Sequence, residues 1–232
     1  MTSAPLSAIA APLPEPSKNA AIELVIFDSD GTLVDSELLA AEAMVAYAAE
    51  FGVQLTALAA MERFKGGKMA DWVAAIEQLR GAALPDSFVP ILRERTSALL
   101  EQRLLPIEGA LELVRTLKIP FCLASNGPRE KIELCLGVTG LLPYFHHQRI
   151  FSAYELGMWK PAPDLFLHAA ERMGVAPSRC AVVEDSVPGA QAGIAAGMRV
   201  FALQIGDVAP GMPSQATMIT RLAELHGHIM AG

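Results

Sequence analysis

The sequence predicts an α/β fold: a doubly wound parallel-sheet (Rossmann-like) core carrying a small, all-helical cap domain inserted after its first strand. Three observations predict it. Short continuous apolar runs recur with helical patterns between them, as parallel strands covered on both faces require. That alternation fails between residues 36 and 105, where almost nothing is strand-like. The chain has 232 residues, 52 % of them apolar, which suits one larger domain plus an insertion.

Each element can be justified in order. Residues 1–20, MTSAPLSAIAAPLPEPSKNA, show no period, and the first lysine, Lys18, follows four prolines. This stretch reads as a tail, without the early positive charge of a signal peptide. Residues 22–27 form the first apolar run. In SELLAAEAMVAYAAEFG, Leu38, Ala41, Val45 and Ala48 fall on one helical face, with Gly52 as a C-cap. Further helical stretches cover Asp71 to Arg80 and Ser87 to Leu104. Strands are expected at 119–124, 149–151, 180–184 and 199–203, and helices at 163–173 and 188–196, the former N-capped by Asp164. The expected division is therefore a tail (1–20), a core (21–35 and 106–232) and a cap (36–105).

Charge and cysteine usage narrow the function. A net charge of −7 gives no general attraction to nucleic acid or anionic lipid. No apolar run approaches the roughly 18 residues of a membrane span. Cys122, Cys135 and Cys180 are odd in number and widely spaced, which suits buried reduced thiols in a cytoplasmic protein.

The first strand ends in FDSDG, delivering Asp28 and Asp30 two residues apart. Two like charges at the end of a buried strand need a cation between them, or one must hold a proton. Later strand ends supply partners: Ser125 and Asn126 in SNGP, Lys160 in WKPAPDLF, and Glu184 and Asp185 in VVEDS. In such sheets ligands bind beyond the carboxyl ends of the strands. The acids can enclose a hard, oxygen-loving cation such as Mg²⁺, while Ser125 and Lys160 grip a phosphate. Taken singly, each motif is also an ordinary turn, helix cap or solvated lysine. The adjacent histidines His146 and His147 point to different faces of any regular element and read as loop or surface residues.

The ordered set DxDGTLVDSE, SNGP, WKPxP and EDSxxGAQAG resembles the haloacid dehalogenase superfamily, and within it the small-cap sugar-phosphate phosphatases. The resemblance covers nearly everything after residue 20 and implies roles. Asp28 would be the nucleophile and Asp30 the general acid and base. Both would touch Mg²⁺, Asp30 through its backbone carbonyl, with Asp185 a direct ligand and Glu184 an adjacent or water-mediated one. Ser125 and Lys160 would neutralise the phosphoryl oxygens. Thr32 and Asp35 would organise the turn and hinge. Dehalogenases lack the second acid at the Asp30 position, which argues against that reaction. Ala40 and Met69 stand where the β-phosphoglucomutase branch carries a histidine and an arginine, which favours hydrolysis over a mutase.

Substrate choice is expected from MERFKGGKMADW, where Lys65, Gly66 and Lys68 would meet a carboxylate or hydroxyls of a phosphorylated sugar or sugar acid. The alternative is that these lysines are simply solvated. The expected partner is a small phosphate ester, with no nucleic acid and no membrane, bound by a monomer or weak homo-oligomer. A protein that kept this fold for binding alone would show damage at Asp28, Asp30, Lys160 or Asp185, and all are intact.

Overall fold

The run Leu24–Phe27 is completely buried, and its side chains alternate between two separate apolar clusters, Val25 and Phe27 in one, Leu24 and Ile26 in the other. That is the expected consequence of a strand's two-residue period in a sheet covered on both faces. A computed structural model describes residues 21–64, 68–205 and 208–230. In it β1 (Leu24–Phe27) is central to a six-stranded sheet of order β3-β2-β1-β4-β5-β6, every pair parallel.

After β1 the chain leaves the sheet for α1 (Glu37–Ala49), α2 (Ala57–Phe64), α3 (Met69–Arg80) and α4 (Phe88–Arg103), which form the helical cap. These helices bury a cluster of their own, containing Met44, Tyr47, Ile76, Phe88 and Leu92. The rings of Tyr47 and Phe88 stack at 4.7 Å, with Phe51 edge-on to both. The core resumes with α5 (Ala110–Thr116), β2 (Phe121–Ser125), α6 (Arg129–Val138), β3 (Ile150–Ser152), the single turn α7 (Ala153–Leu156) and α8 (Asp164–Met173). It finishes with β4 (Cys180–Glu184), α9 (Val187–Ala195), β5 (Arg199–Leu203), β6 (Thr217–Ile219) and α10 (Leu225–Met230).

The two chain segments joining cap to core run side by side. Val34 and Pro106 form an antiparallel bridge, the Asp35 amide donates to the Leu105 carbonyl at 3.0 Å, and the Ile107 amide to the Leu33 carbonyl at 2.9 Å. Asp35 thus takes part in the crossing through its backbone.

Several expectations are corrected. The buried face of α1 holds Leu39, Ala41, Met44, Tyr47 and Ala48, while Leu38 is 40 % exposed and Val45 half-buried. An alanine-rich helix has almost no amphipathic contrast, so its rotation is set by where Tyr47 can stack. Glu50 caps that helix, and Gly52, with φ +81°, turns the chain two residues later. Pro163 occupies the N-cap position of α8, with Asp164 as its first helical residue. The strand β6 was not expected: two of its three residues are exposed, so it has no apolar run to read.

Cys122, Cys135 and Cys180 are free and buried. His147 is exposed beside Glu133, at 3.2 Å, a surface residue as expected, and it begins a 3-10 turn (His147–Arg149) for which His146 is the N-cap. No helix among the described residues is long and apolar enough to cross a membrane.

Candidate active site

The parallel order places the carboxyl ends of β1, β2 and β4 next to one another, and the reactive side chains follow from that. Asp28 comes directly after β1, is only 7 % exposed, and is held by its amide donating to the Val183 carbonyl at 2.9 Å. The turn after it needs Gly31: its φ is +77°, and a Cβ there would stand 2.3 Å from Asp185 Oδ2. The Thr32 hydroxyl donates to Asp185 Oδ1 at 3.1 Å, so the turn after β1 is tied to the end of β4. This gives Thr32 the organising part expected of it.

Lys160 reaches into the same group from the segment before α8. Its Nζ donates to Asp28 Oδ1 at 2.5 Å and to Glu184 Oε1 at 2.8 Å, with the ring of Phe166 4.8 Å away. The other Glu184 oxygen accepts from the amide and hydroxyl of Ser186, at 2.7 and 2.8 Å. Both Glu184 oxygens are therefore engaged by neighbouring groups of the protein. Helix α9 can close over Glu184 only because position 189 is glycine; a Cβ there would overlap Oε1 at 1.7 Å.

Ser125 ends β2, buried, its oxygen accepting from the Gly127 amide at 3.0 Å. Asn126, expected to meet substrate, lines the cavity and also pairs with the Lys160 backbone, accepting from its amide at 3.1 Å and donating to its carbonyl at 3.4 Å. Its side chain fixes the segment that carries the lysine.

The sequence reading missed two partners of Asp30. Lys131, in the first turn of α6, places Nζ 2.9 Å from each Asp30 oxygen, and the Ser36 hydroxyl also donates to that carboxylate. Ser36 was legible only as the start of α1; Lys131 was legible as a cation one turn beyond SNGP, had the helix been drawn back over the strand end.

These contacts split the two acids electrostatically. Burial pushes the Asp28 carboxyl well above its ordinary value; Lys160 opposes this, while Glu184, Asp185 and Asp30 reinforce it. Burial would also raise Asp30, but the Lys131 ammonium and the Ser36 hydrogen bond outweigh it and hold the carboxyl low. Burial opposes the charge on Lys131, yet Asp30 wins and lifts the ammonium to about 12. Lys160 is raised too, its two carboxylates overcoming desolvation.

Above this floor lies a cavity of about 410 Å³, walled on the cap side by residues including Ala40, Met61, Lys68, Met69, Trp72 and Arg93. Its size is that of a small-molecule pocket. Lys68 sits at the mouth with Nζ 4.9 Å from the Trp159 ring centre. Lys65 and Gly66 lie outside the described residues.

A doubly wound sheet with acids, a serine and a lysine at adjacent strand ends, closed by a helical cap, is the arrangement of a phosphohydrolase. Comparison with known proteins agrees. Residues 22–197 match the family model for haloacid dehalogenase-like hydrolases, and the chain belongs to that family as an enzyme of its phosphatase type. It is 40 % identical to the 6-phosphogluconate phosphatase of Escherichia coli over 78 % of this chain and 81 % of that one. A fructose-1-phosphate phosphatase of the same organism is 34 % identical over 75 % of this chain and 92 % of its own. Among solved structures, a haloacid dehalogenase family hydrolase from Deinococcus radiodurans, with bound phosphate and sodium, superposes with TM-score 0.72 at 33 % identity, covering 92 % of this chain and 98 % of that one.

Proposed function

We propose that the protein hydrolyses a small phosphorylated sugar acid, with 6-phosphogluconate as the substrate, through an aspartyl-phosphate on Asp28. One observation carries the reading: Asp28 and Asp30 follow β1 on the floor of one cavity with Ser125 and Lys160, Asp28 beside the buried ammonium of Lys160 and Asp30 fastened to Lys131 and Ser36. Their resting shifts, Asp28 raised and Asp30 lowered, run opposite to those of a nucleophile and a general acid, so the two roles follow from the family resemblance and not from these shifts.

In this mechanism Asp28 attacks phosphorus, which divides one slow hydrolysis into two easier displacements. Asp30 gives a proton to the departing alcohol and afterwards takes one from the water that cleaves the acyl phosphate. Lys160 and Ser125 offset charge on the phosphoryl oxygens, where positioning and electrostatics supply most of the catalysis. Asn126 acts through Lys160, and Glu184 keeps that lysine aimed when Asp28 is esterified. The cap wall, with Lys68, closes water out and meets the rest of the substrate.

The residues present suit Mg²⁺ by donor type, although no three acids among the described residues converge as a ready-made metal site. Their donors are all oxygen: the Asp28 and Asp185 carboxylates and the Asp30 backbone carbonyl, with Glu184 outside them. Bound there, the ion would supply further neutralisation of the transferring phosphoryl group. The buried free thiols suit a reducing cytoplasm.

The test is phosphate release by the purified protein with Mg²⁺, comparing kcat/KM for 6-phosphogluconate with hexose phosphates, phosphoglycolate and β-glucose 1-phosphate, with a chelator control. Preference for the sugar acid supports the reading. Preference for another ester removes the substrate and keeps the chemistry, and interconversion of β-glucose 1-phosphate would replace hydrolysis by a mutase. Against the mutase, Ala40 and Met69 both face the cavity and neither can hold a second phosphate.

A further inference from the structure

On α4 the residues Arg93, Thr96 and Ser97 all line the cavity. Their spacing of three and four puts them on one face of the helix, so the cap presents a cation followed by two hydroxyls, of which that of Thr96 donates to the Leu92 carbonyl at 2.7 Å and keeps its acceptor side for a ligand. The other arginines of this helix are spent elsewhere. Arg95 reaches both oxygens of Glu50, at 2.5 and 3.3 Å, and Arg103 both oxygens of Glu42, at 2.6 and 3.4 Å. Arg93 makes no such pair among the described residues; its guanidinium lies 5.3 Å from the ring centre of Tyr154, a core residue on the far side of the cavity mouth.

We propose that Arg93 is the residue that selects for the substrate's carboxylate, with Tyr154 as its platform and Thr96 and Ser97 meeting the hydroxylated chain. The proposal rests on the sugar-acid reading above and names the group that would enforce it. A guanidinium presents its N–H donors in a rigid plane that matches a carboxylate at two points, which a lysine cannot do. The aromatic face beneath it fixes that plane without consuming any N–H. Since phosphate and metal are handled at the strand ends, Arg93 is free to act on the opposite end of the ligand.

The experiment measures kcat/KM for 6-phosphogluconate, for glucose 6-phosphate, which lacks the carboxylate, and for fructose 1,6-bisphosphate, which replaces it with phosphate. Arg93→Gln should lower the value for 6-phosphogluconate by about 30-fold, chiefly through KM, and change glucose 6-phosphate by no more than about twofold. Arg93→Lys should recover part of the loss. Arg95→Gln, two residues along and turned toward Glu50, should leave the ratio between substrates unchanged. Equal losses on all three esters, or none, would overturn the proposal, as would a loss confined to the bisphosphate. If the wild-type protein shows no preference for the sugar acid, the sugar-acid reading fails and takes this proposal with it. If the preference exists and survives in Arg93→Gln, only the assignment to Arg93 fails.

Discussion

Two cations on opposite sides of one cavity show how differently its halves are built. Lys160 has a side chain 3 % exposed, lies within 2.8 Å of two carboxylates, and has its backbone clamped by Asn126. Lys68 stands exposed at the rim, resting on the face of Trp159. The first is over-determined: with either carboxylate removed, the other still faces its ammonium. The second can move at little cost. The reacting end of the site is therefore assembled before substrate arrives, whereas the selecting end is held by weak, adjustable contacts. Precision is concentrated where bonds are made, and tolerance where ligands differ.

This contrast can be broken or sharpened by substitution. Asp28→Asn should remove at least about 10⁴-fold of kcat, since a chemical step disappears with the carboxylate, while the melting curve stays cooperative. Residual turnover near the wild-type level would show that Asp28 is not the nucleophile. Gly31→Ala strikes the same floor without changing a charge. The left-handed backbone costs about 1–2 kcal/mol, and displacement of Asp185 should lower kcat by about 100-fold. Thermal melting and steady-state rates check both parts, and unchanged rates would mean that Asp185 need not sit against the turn.

Lys131→Met tests the half-buried pair on Asp30. It should reduce kcat by about tenfold, a fraction of what acid–base catalysis supplies, and stability by about 1 kcal/mol. The sign with pH follows from the two shifts. Asp30 is held below its ordinary range, so its contribution is present above that range and is lost as pH falls through the depressed value. Lys131 is raised to about 12, so its contribution is complete below the ordinary lysine range and is lost only as pH rises through about 12. The difference in melting temperature between wild type and variant should accordingly be flat around neutrality and shrink in acid. A difference that grew in acid would contradict the pairing. Smallest of all, Lys68→Met should raise KM by about two- to fivefold with kcat preserved, because an exposed cation over an aromatic ring is worth little. A large fall in kcat would move Lys68 from the adjustable half of the site to the fixed one.

The sheet and the acids of the site were legible in the sequence for a common reason. Buried parallel strands are continuous apolar runs, and a run that stops in Asp, Ser or Glu marks a strand end by the abrupt change of polarity. Asp28, Ser125 and Glu184 are all read this way. Lys131, Ser36 and Arg93 are not, because each lies within a helix or at its start, where a polar residue is ordinary and its direction depends on how the helix packs. Asn126 was legible as a strand-end residue, but its attachment to the Lys160 backbone spans residues distant in the chain and has no local signature. The rotation of α1 was misread for a related reason: alanine at six of its thirteen positions makes every face nearly equivalent until aromatic stacking chooses one.

The paired segments at Val34 and Pro106 bear on how such proteins diversify. Because the chain leaves the core and returns at adjacent points joined by a bridge, the inserted helices form a cassette. Its replacement by another helical unit of different length asks for no change in the register of β1 against β2 or β4. New substrates can then be recruited by exchanging or altering the cassette, while the strand-end chemistry is inherited whole.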